Sequence, residues 1–113
     1  MSIYNNTVFL KGNLGKPAEV KETKAGTVAK FNLAVYRSGK GTEAITDWLG
    51  IIAWHNLARG METLEKGAKL IVIGSVATRS YETETGKHYV TEIIAREIGV
   101  DIAVAKDEEG EPF

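Results

Sequence analysis

The sequence predicts an all-β fold with one short helix, because most of its 113 residues alternate apolar and polar side chains with period two. Turn residues separate five such segments, and one segment with helical spacing lies between the third and the fourth. Three strands, a helix and two strands are the order of the OB-fold, a five-stranded Greek-key barrel. Other five-stranded barrels exist, so this order favours the OB-fold without deciding it.

The first predicted strand, Thr7–Lys11, ends in a glycine-rich turn that continues to Pro17. The second strand runs from about Thr27 to Arg37 and buries one face. That face carries Phe31, Leu33 and Val35. The opposite face carries Lys30, Asn32, Ala34 and Tyr36.

The third strand covers roughly residues 45–55 and follows a flexible basic hairpin tip that contains Lys40. Residues 57–66 place Leu57, Met61 and Leu64 at helical spacing, and a glycine at position 67 is typical of a helix end. The fourth strand covers residues 69–81, and the fifth covers about residues 88–102 after a turn at 84–87. We therefore expect an OB-fold domain over residues 1–102 and a short tail over residues 103–113.

The composition excludes several classes of protein. There is no cysteine, which excludes a disulfide scaffold, a thiolate zinc site and a cysteine nucleophile. No apolar run approaches the ~18 residues of a membrane-spanning helix, and the first residues lack the basic segment of a secretory signal. These observations predict a cytoplasmic protein with no membrane association.

The net charge of −1 conceals an uneven distribution. Residues 1–106 hold 14 Lys and Arg against 11 Asp and Glu, a net charge of +3, and four carboxylates follow. These are Asp107, Glu108, Glu109 and Glu111. A basic body with an acidic end is compatible with a polyanionic partner, but composition alone describes a solvated terminus equally well.

Aromatic residues indicate where such a partner would bind. Trp48 and Trp54 share one face of the third strand, and Arg79 and Tyr81 share one face of the fourth. Rings interleaved with cations suit a platform on which nucleobases stack, because every base has a flat π-face. A core position is the competing interpretation for each Trp, since Trp is usually largely buried.

No enzymatic site is evident in the sequence. Residues 39–42, G-K-G-T, lack the hydroxyl residue that follows the Lys of a phosphate-binding loop. His55 and His88 have no spacing that indicates a metal site or a catalytic triad. We therefore predict no enzymatic activity, no cofactor and no bound metal.

Residues 6–15, N-T-V-F-L-K-G-N-L-G, resemble the opening of bacterial single-stranded DNA-binding proteins. The resemblance continues in residues 31–34, 46–48, 64–69 and 86–92, and it covers roughly residues 5–98. It implies that Trp48, Trp54 and Tyr81 stack on DNA and that Arg79 contacts phosphate. It also implies a homotetramer, with a dimer left open.

Three departures from that family are visible. Gly50 and Ala77 stand where the family often has Arg, which predicts a smaller electrostatic contribution to binding. The hairpin over residues 38–45 is short and lacks an additional Trp, for which Tyr36 is a partial substitute. The long disordered linker is almost absent, which suggests a compact member of phage, plasmid or other specialised origin.

The sequence thus predicts a protein that coats single-stranded DNA in replication, recombination or repair, in the bacterial cytoplasm or nucleoid. The alternative is a primosome-type OB-fold adaptor that recruits proteins to the replication fork. Replication or repair proteins would bind the acidic tail, which ends in Pro112 and Phe113 as the family's tip does. The further candidate DNA contacts are Tyr36, Lys30, Asn32, Lys11, Arg37, Lys40 and Lys87.

Overall fold

Six strands and two short helical segments build the fold within residues 5–41 and 43–102, the part of the chain that the computed structural model describes. The strands are β1 (Val8–Leu14), β2 (Glu19–Thr23), β3 (Gly26–Ser38), β4 (Ala44–Trp54), β5 (Lys69–Thr83) and β6 (Gly86–Val100). Helix α1 (Asn56–Gly60) and a 3₁₀ turn (Met61–Thr63) lie between β4 and β5. The predicted tail residues Asp107, Glu108, Glu109, Glu111, Pro112 and Phe113 lie outside the described residues.

The sheet closes into a barrel because β1 pairs with two different strands. Residues 8–13 of β1 pair antiparallel with β5, and Leu14 pairs with Leu33 of β3. β3 and β4 form one long antiparallel hairpin, and β5 and β6 form another. The two hairpins meet where β4 and β6 run parallel, at Ile51 and Ile93. The ring β1-β5-β6-β4-β3 is a closed five-stranded barrel, so the predicted OB-fold is confirmed.

β2 is a strand that the sequence analysis missed. Residues 19–23, E-V-K-E-T, pair antiparallel with β3, and only Val20 is partly buried. Because the strand lies at the edge and covers little of the core, it needs no alternation of apolar residues. Its signal in the sequence is therefore weak.

The helical segment is shorter than the predicted span of residues 57–66. α1 ends at Gly60, the 3₁₀ turn follows, and Leu64 already has extended backbone angles. Ala58 and Met61 are its buried residues, and both pack into the barrel core. So short a helix depends on this tertiary packing for its stability.

The core is built from the inward positions of the barrel strands, as the alternation predicts. Phe31, Leu33 and Ile51 are buried, whereas their neighbours Lys30 and Asn32 are exposed. Further core residues are Leu14, Ala29, Ala53, Leu70, Val72, Ile93 and Ala95. Ala34 was predicted on the exposed face, but it is buried because β1 pairs alongside it through Asn13.

Close approach of β1 to β3 depends on Gly12. A Cβ at this position would overlap the carbonyl oxygen of Ala34 and lie 3.0 Å from Cγ of Leu33. That carbonyl belongs to the backbone of β3, so it can move away only if β1 and β3 separate. We expect Gly12→Ala to lower the free energy of unfolding by more than about 2 kcal/mol, because overpacking a closed backbone contact is among the costly substitutions.

Thermal and denaturant unfolding followed by circular dichroism measures this effect, with Gly60→Ala as the matched control. Gly60 has helical backbone angles, and a Cβ there meets nothing within 4 Å. Since Ala is favoured over Gly in helices by roughly 0.5–1 kcal/mol, the control variant should be neutral or slightly more stable. Similar stabilities of the two variants would contradict the account of barrel closure.

Candidate nucleic-acid interface

The two long hairpins share one outward surface. β3 pairs Asn32 with Gly50 of β4, and β5 pairs Tyr81 with His88 of β6, so each pair points to the same side of its hairpin. Alternation along each strand adds further residues to that side. We call this surface the aromatic face, and it consists of Lys30, Asn32, Tyr36, Trp48, Gly50, Trp54, Arg79, Tyr81, His88 and Glu92.

Most rings of the aromatic face are open to solvent. Trp48 is 60% exposed, Tyr36 is 57% exposed and Tyr81 is 47% exposed. Trp48 is therefore not a core residue, which removes the competing interpretation for this side chain. Trp54 is partly buried and lies with its ring centroid 6.0 Å from that of His55. Much of the surface of the first three rings is thus open to solvent, whereas less of the Trp54 ring is exposed.

Trp48 rests on the loop that follows β1. A Cβ at Gly15 would lie only 2.6 Å from Cζ3 of the indole, so the ring occupies the space that a side chain would fill. The backbone N–H of Gly15 donates to the carbonyl of Asn32 at 3.0 Å and fixes the loop against β3. Gly15, Lys16, Asn32 and Trp48 line a hollow of about 240 Å³. One edge of the indole thus packs against Gly15, and Lys16 lies beside the ring.

A larger groove of about 520 Å³ runs across the middle of the aromatic face. Lys30 and Asn32 line it from β3, Glu92 lines it from β6, and Lys16 contributes from the loop. Gly50 leaves the centre open, since a Cβ there would meet only Oδ1 of Asn32 at 3.9 Å. Gly50 stands where the resemblance leads us to expect Arg, so the groove lacks a positive charge at this position but has more open space.

Arg79 is paired within the aromatic face. Its Nε donates to Oε1 of Glu92 at 2.9 Å, and its Nη2 donates to Oε2 at 3.1 Å. The hydrogen bond to Glu92 and the charge of that carboxylate raise the pKa of Arg79 above its ordinary value. A two-point contact of this kind fixes the guanidinium plane. It also neutralises the charge that the resemblance assigns to phosphate binding.

The remaining predicted cations are not gathered on the aromatic face. Arg37 and Lys87 point to the opposite side of their hairpins, and Arg37 pairs with Asp47 at 2.7 Å. Lys40 lies in the hairpin tip after β3. Lys11 pairs with Asp101 at 3.6 Å and stands opposite Ile71, eight residues before Arg79 on the same strand. At roughly 3.4 Å per residue, those eight residues span up to about 27 Å along β5.

Three residues in or beside the aromatic face were not among the predicted site residues. Lys16 lines both hollows, Glu92 holds Arg79, and His88 stacks on Tyr81. Lys16 was assigned to a turn, and nothing in the sequence pairs Glu92 or His88 with their partners. Strand register decides these contacts, and register is not visible in one sequence.

Within residues 5–41 and 43–102, no group of three or more His, Cys, Asp or Glu side chains is placed to hold a metal ion. In the same part of the chain, no helix is long and apolar enough to cross a bilayer.

The family model of the single-strand binding proteins matches residues 5–101. The chain belongs to the single-strand binding protein family. The predicted resemblance is thereby confirmed, and the match covers the whole described barrel. Family members are DNA-binding proteins rather than enzymes, which agrees with the prediction that this chain is not an enzyme.

Curated relatives carry the same family name. A single-stranded DNA-binding protein of Thermus thermophilus is 39% identical over 83 residues, which are 73% of this chain and 32% of the relative. Single-stranded DNA-binding protein 3 of Listeria innocua is 40% identical over 99 residues and is matched over 61% of its length. This chain therefore spans about a third of the Thermus relative and under two thirds of the Listeria relative.

A solved structure has the same fold. The Plasmodium falciparum SSB in complex with ssDNA superposes with a TM-score of 0.76 at 25% identity. The superposition covers 88% of this chain and 96% of that one. The likeness therefore extends over the entire barrel of a single-strand binding protein.

Proposed function

We propose that this chain coats single-stranded DNA without sequence preference, by stacking bases on the aromatic face. The observation that carries the proposal is the set of half-exposed rings, Tyr36, Trp48 and Tyr81, on one surface that also carries an open groove. Stacking contributes about 1–3 kcal/mol per base and tolerates any sequence. Family membership and the DNA-bound structure of a similar protein support this assignment.

Contacts between Lys or Arg side chains and phosphates contribute less to the affinity than stacking in this mechanism. Lys16 and Lys30 flank the groove and are placed to contact phosphates, whereas the charge of Arg79 is compensated by Glu92. We therefore expect the rings to supply most of the affinity. An adaptor that only recruits proteins has no use for several exposed rings beside an open groove, so the strand-binding function is favoured over the adaptor function.

Assembly of several chains belongs to the same proposal. Phe9 is 62% exposed on β1, and β-pairing places it beside Ile73 of β5 on the outer side of the barrel. An exposed Phe next to a partly buried Ile is the kind of apolar surface that a second copy covers. We propose a homo-oligomer, a tetramer or a dimer, that acts on DNA in replication, recombination or repair in the bacterial cytoplasm or nucleoid. Sedimentation equilibrium measures the number of chains, and a DNA-binding monomer would contradict the assembly.

Removal of an exposed ring should weaken DNA binding without unfolding the barrel. Trp48→Ala and Tyr81→Ala should each reduce the affinity for a labelled dT oligonucleotide by about 5- to 150-fold, the equivalent of about 1–3 kcal/mol. The melting temperature should change little, since both rings are half exposed. Trp54→Ala should lower both quantities, because that ring is partly buried.

Fluorescence anisotropy measures these affinities, and Tyr89→Ala is the matched control. Tyr89 is 69% exposed and follows His88 on β6, so it points away from the aromatic face. Loss of this ring should leave the affinity within about twofold of the wild type. An equal loss from Tyr89→Ala and Tyr81→Ala would contradict the assignment of the face.

Charge on Glu92 should oppose DNA binding. Glu92→Gln keeps a hydrogen-bonding group beside Arg79 and removes the compensating negative charge. We expect tighter binding at low salt and a slope of log K against log[salt] that is steeper by about 0.7, the value for one further phosphate on a single strand. Salt titrations of dT binding measure the slope.

Glu97→Gln controls for net charge in that experiment. Glu97 is exposed on the same strand, five residues from Glu92 and opposite Ile73. That separation of roughly 17 Å along the strand exceeds the Debye length of ~10 Å at 0.1 M salt. Equal effects of the two variants would indicate a general charge effect and refute a local role for Glu92.

The acidic tail remains a proposal from the sequence. We propose that Asp107, Glu108, Glu109 and Glu111 compete with phosphate for the basic body, and that Pro112 and Phe113 bind replication or repair proteins. Deletion of residues 107–113 should raise DNA affinity at low salt, and the difference should vanish at high salt because screening removes the competition. Phe113→Ala should abolish capture of such proteins in pull-downs while DNA binding stays intact. A tail that is only solvated predicts no change in either measurement.

A further inference from the structure

Close to the turn between β5 and β6, the first residues of β6 carry a ring that the DNA-binding mechanism has not used. His88 stacks on Tyr81 with ring centroids 5.4 Å apart and an interplanar angle of 25°. The two residues are direct partners in the β5–β6 register. The imidazole lies against one side of the phenol ring, and the other side of Tyr81 is the more open one for a base.

His88 is itself held in place by the turn. Its Nε2 lies 2.9 Å from Oγ1 of Thr83 and 2.9 Å from Oγ1 of Thr85. The two hydroxyls are also 2.9 Å apart, and the N–H of Thr85 donates to Oγ1 of Thr83 at 3.2 Å. A hydroxyl can both donate and accept a hydrogen bond, so the two Thr side chains can pair with Nε2 in either tautomer of the ring. The two Thr side chains of the turn region therefore hold the imidazole in its position.

We propose that His88 is a positioning residue for DNA binding, which acts by holding Tyr81 in the orientation that a base stacks on. Tyr81 is half exposed near the end of a protruding hairpin, where an unsupported side chain would sample several rotamers. Ordering such a side chain when DNA binds reduces affinity, and a support that orders it beforehand removes that loss. The inference rests on the proposed function.

A double-mutant cycle tests the inference on the full chain with a labelled dT oligonucleotide. His88→Ala should weaken binding by about 3- to 10-fold, the range expected for ordering one side chain. The same substitution in a Tyr81→Ala background should change the affinity by less than twofold, since the ring that His88 supports is gone. Equal losses in both backgrounds would overturn the proposal, because His88 would then act independently of Tyr81.

Two conservative variants separate the ring from its hydrogen bonds. His88→Phe keeps a stacking ring without Nε2, and it should retain affinity within about twofold of the wild type. His88→Gln keeps a polar group that reaches the Thr hydroxyls but has no ring, and it should be as weak as His88→Ala. A His88→Phe variant as weak as His88→Ala would refute support by stacking. Melting temperatures of all variants establish that the hairpin remains folded.

The outcomes distinguish this inference from the proposed function. A wild-type chain that does not bind dT refutes the function itself. A chain that binds dT and loses affinity in Tyr81→Ala but not in His88→Ala retains the function and refutes only the role of His88.

Discussion

Closure of the barrel by β1 is the constraint on which the rest of the structure depends. β1 is only seven residues long, yet it pairs with β5 along most of its length and with β3 at its end. This double pairing requires the backbones to meet at Gly12, where no Cβ fits. Once the ring is closed, each strand has one side facing the core and one facing outward. The closed ring therefore decides which side chains are presented to a ligand.

The lengths of the strands then decide how far the aromatic face extends beyond the core. β3, β5 and β6 have 13 to 15 residues, about twice the length of β1. The excess forms two hairpins that extend beyond the closed ring, and apolar side chains there are not needed for the core. Tyr36 and Tyr81 lie on these extensions, whereas Trp48 lies at the edge of the closed barrel, opposite Ala34. Tyr36 and Tyr81 are thus exposed near the ends of strands whose other ends are part of the barrel.

Much of this arrangement could be predicted from the sequence. Period-two alternation identifies the barrel strands, because core and solvent select different residues on the two sides of a strand. It also separates buried Phe31 and Leu33 from exposed Lys30 and Asn32. The edge strand β2 was missed because it covers little of the core. Ala34 was misplaced because its burial comes from β1, which is distant in the sequence.

Contacts across the strands could not be predicted in the same way. A register shift between Ile73 and Gly74 offsets the remainder of β5 against β6. Without that shift, Arg79 would lie opposite Thr91 instead of Val90, and its neighbours would come from the other face of β6. The pairing of Arg79 with Glu92 and the stack of Tyr81 on His88 both depend on this offset. The unusual backbone of His55, with φ of 59° beside Trp54, is likewise a product of the tertiary fold.

The central claim is that bases of a single strand stack on the exposed rings, and intrinsic tryptophan fluorescence tests it most directly. Trp48 is half exposed, so a base stacked on its indole should quench emission strongly. We predict saturable quenching on titration with poly-dT and much weaker quenching by a duplex of equal length, whose bases are already stacked on one another. The Trp48→Phe variant should lose most of the signal while still binding. Equal quenching by duplex and single strand, or binding without any change in emission, would contradict the claim.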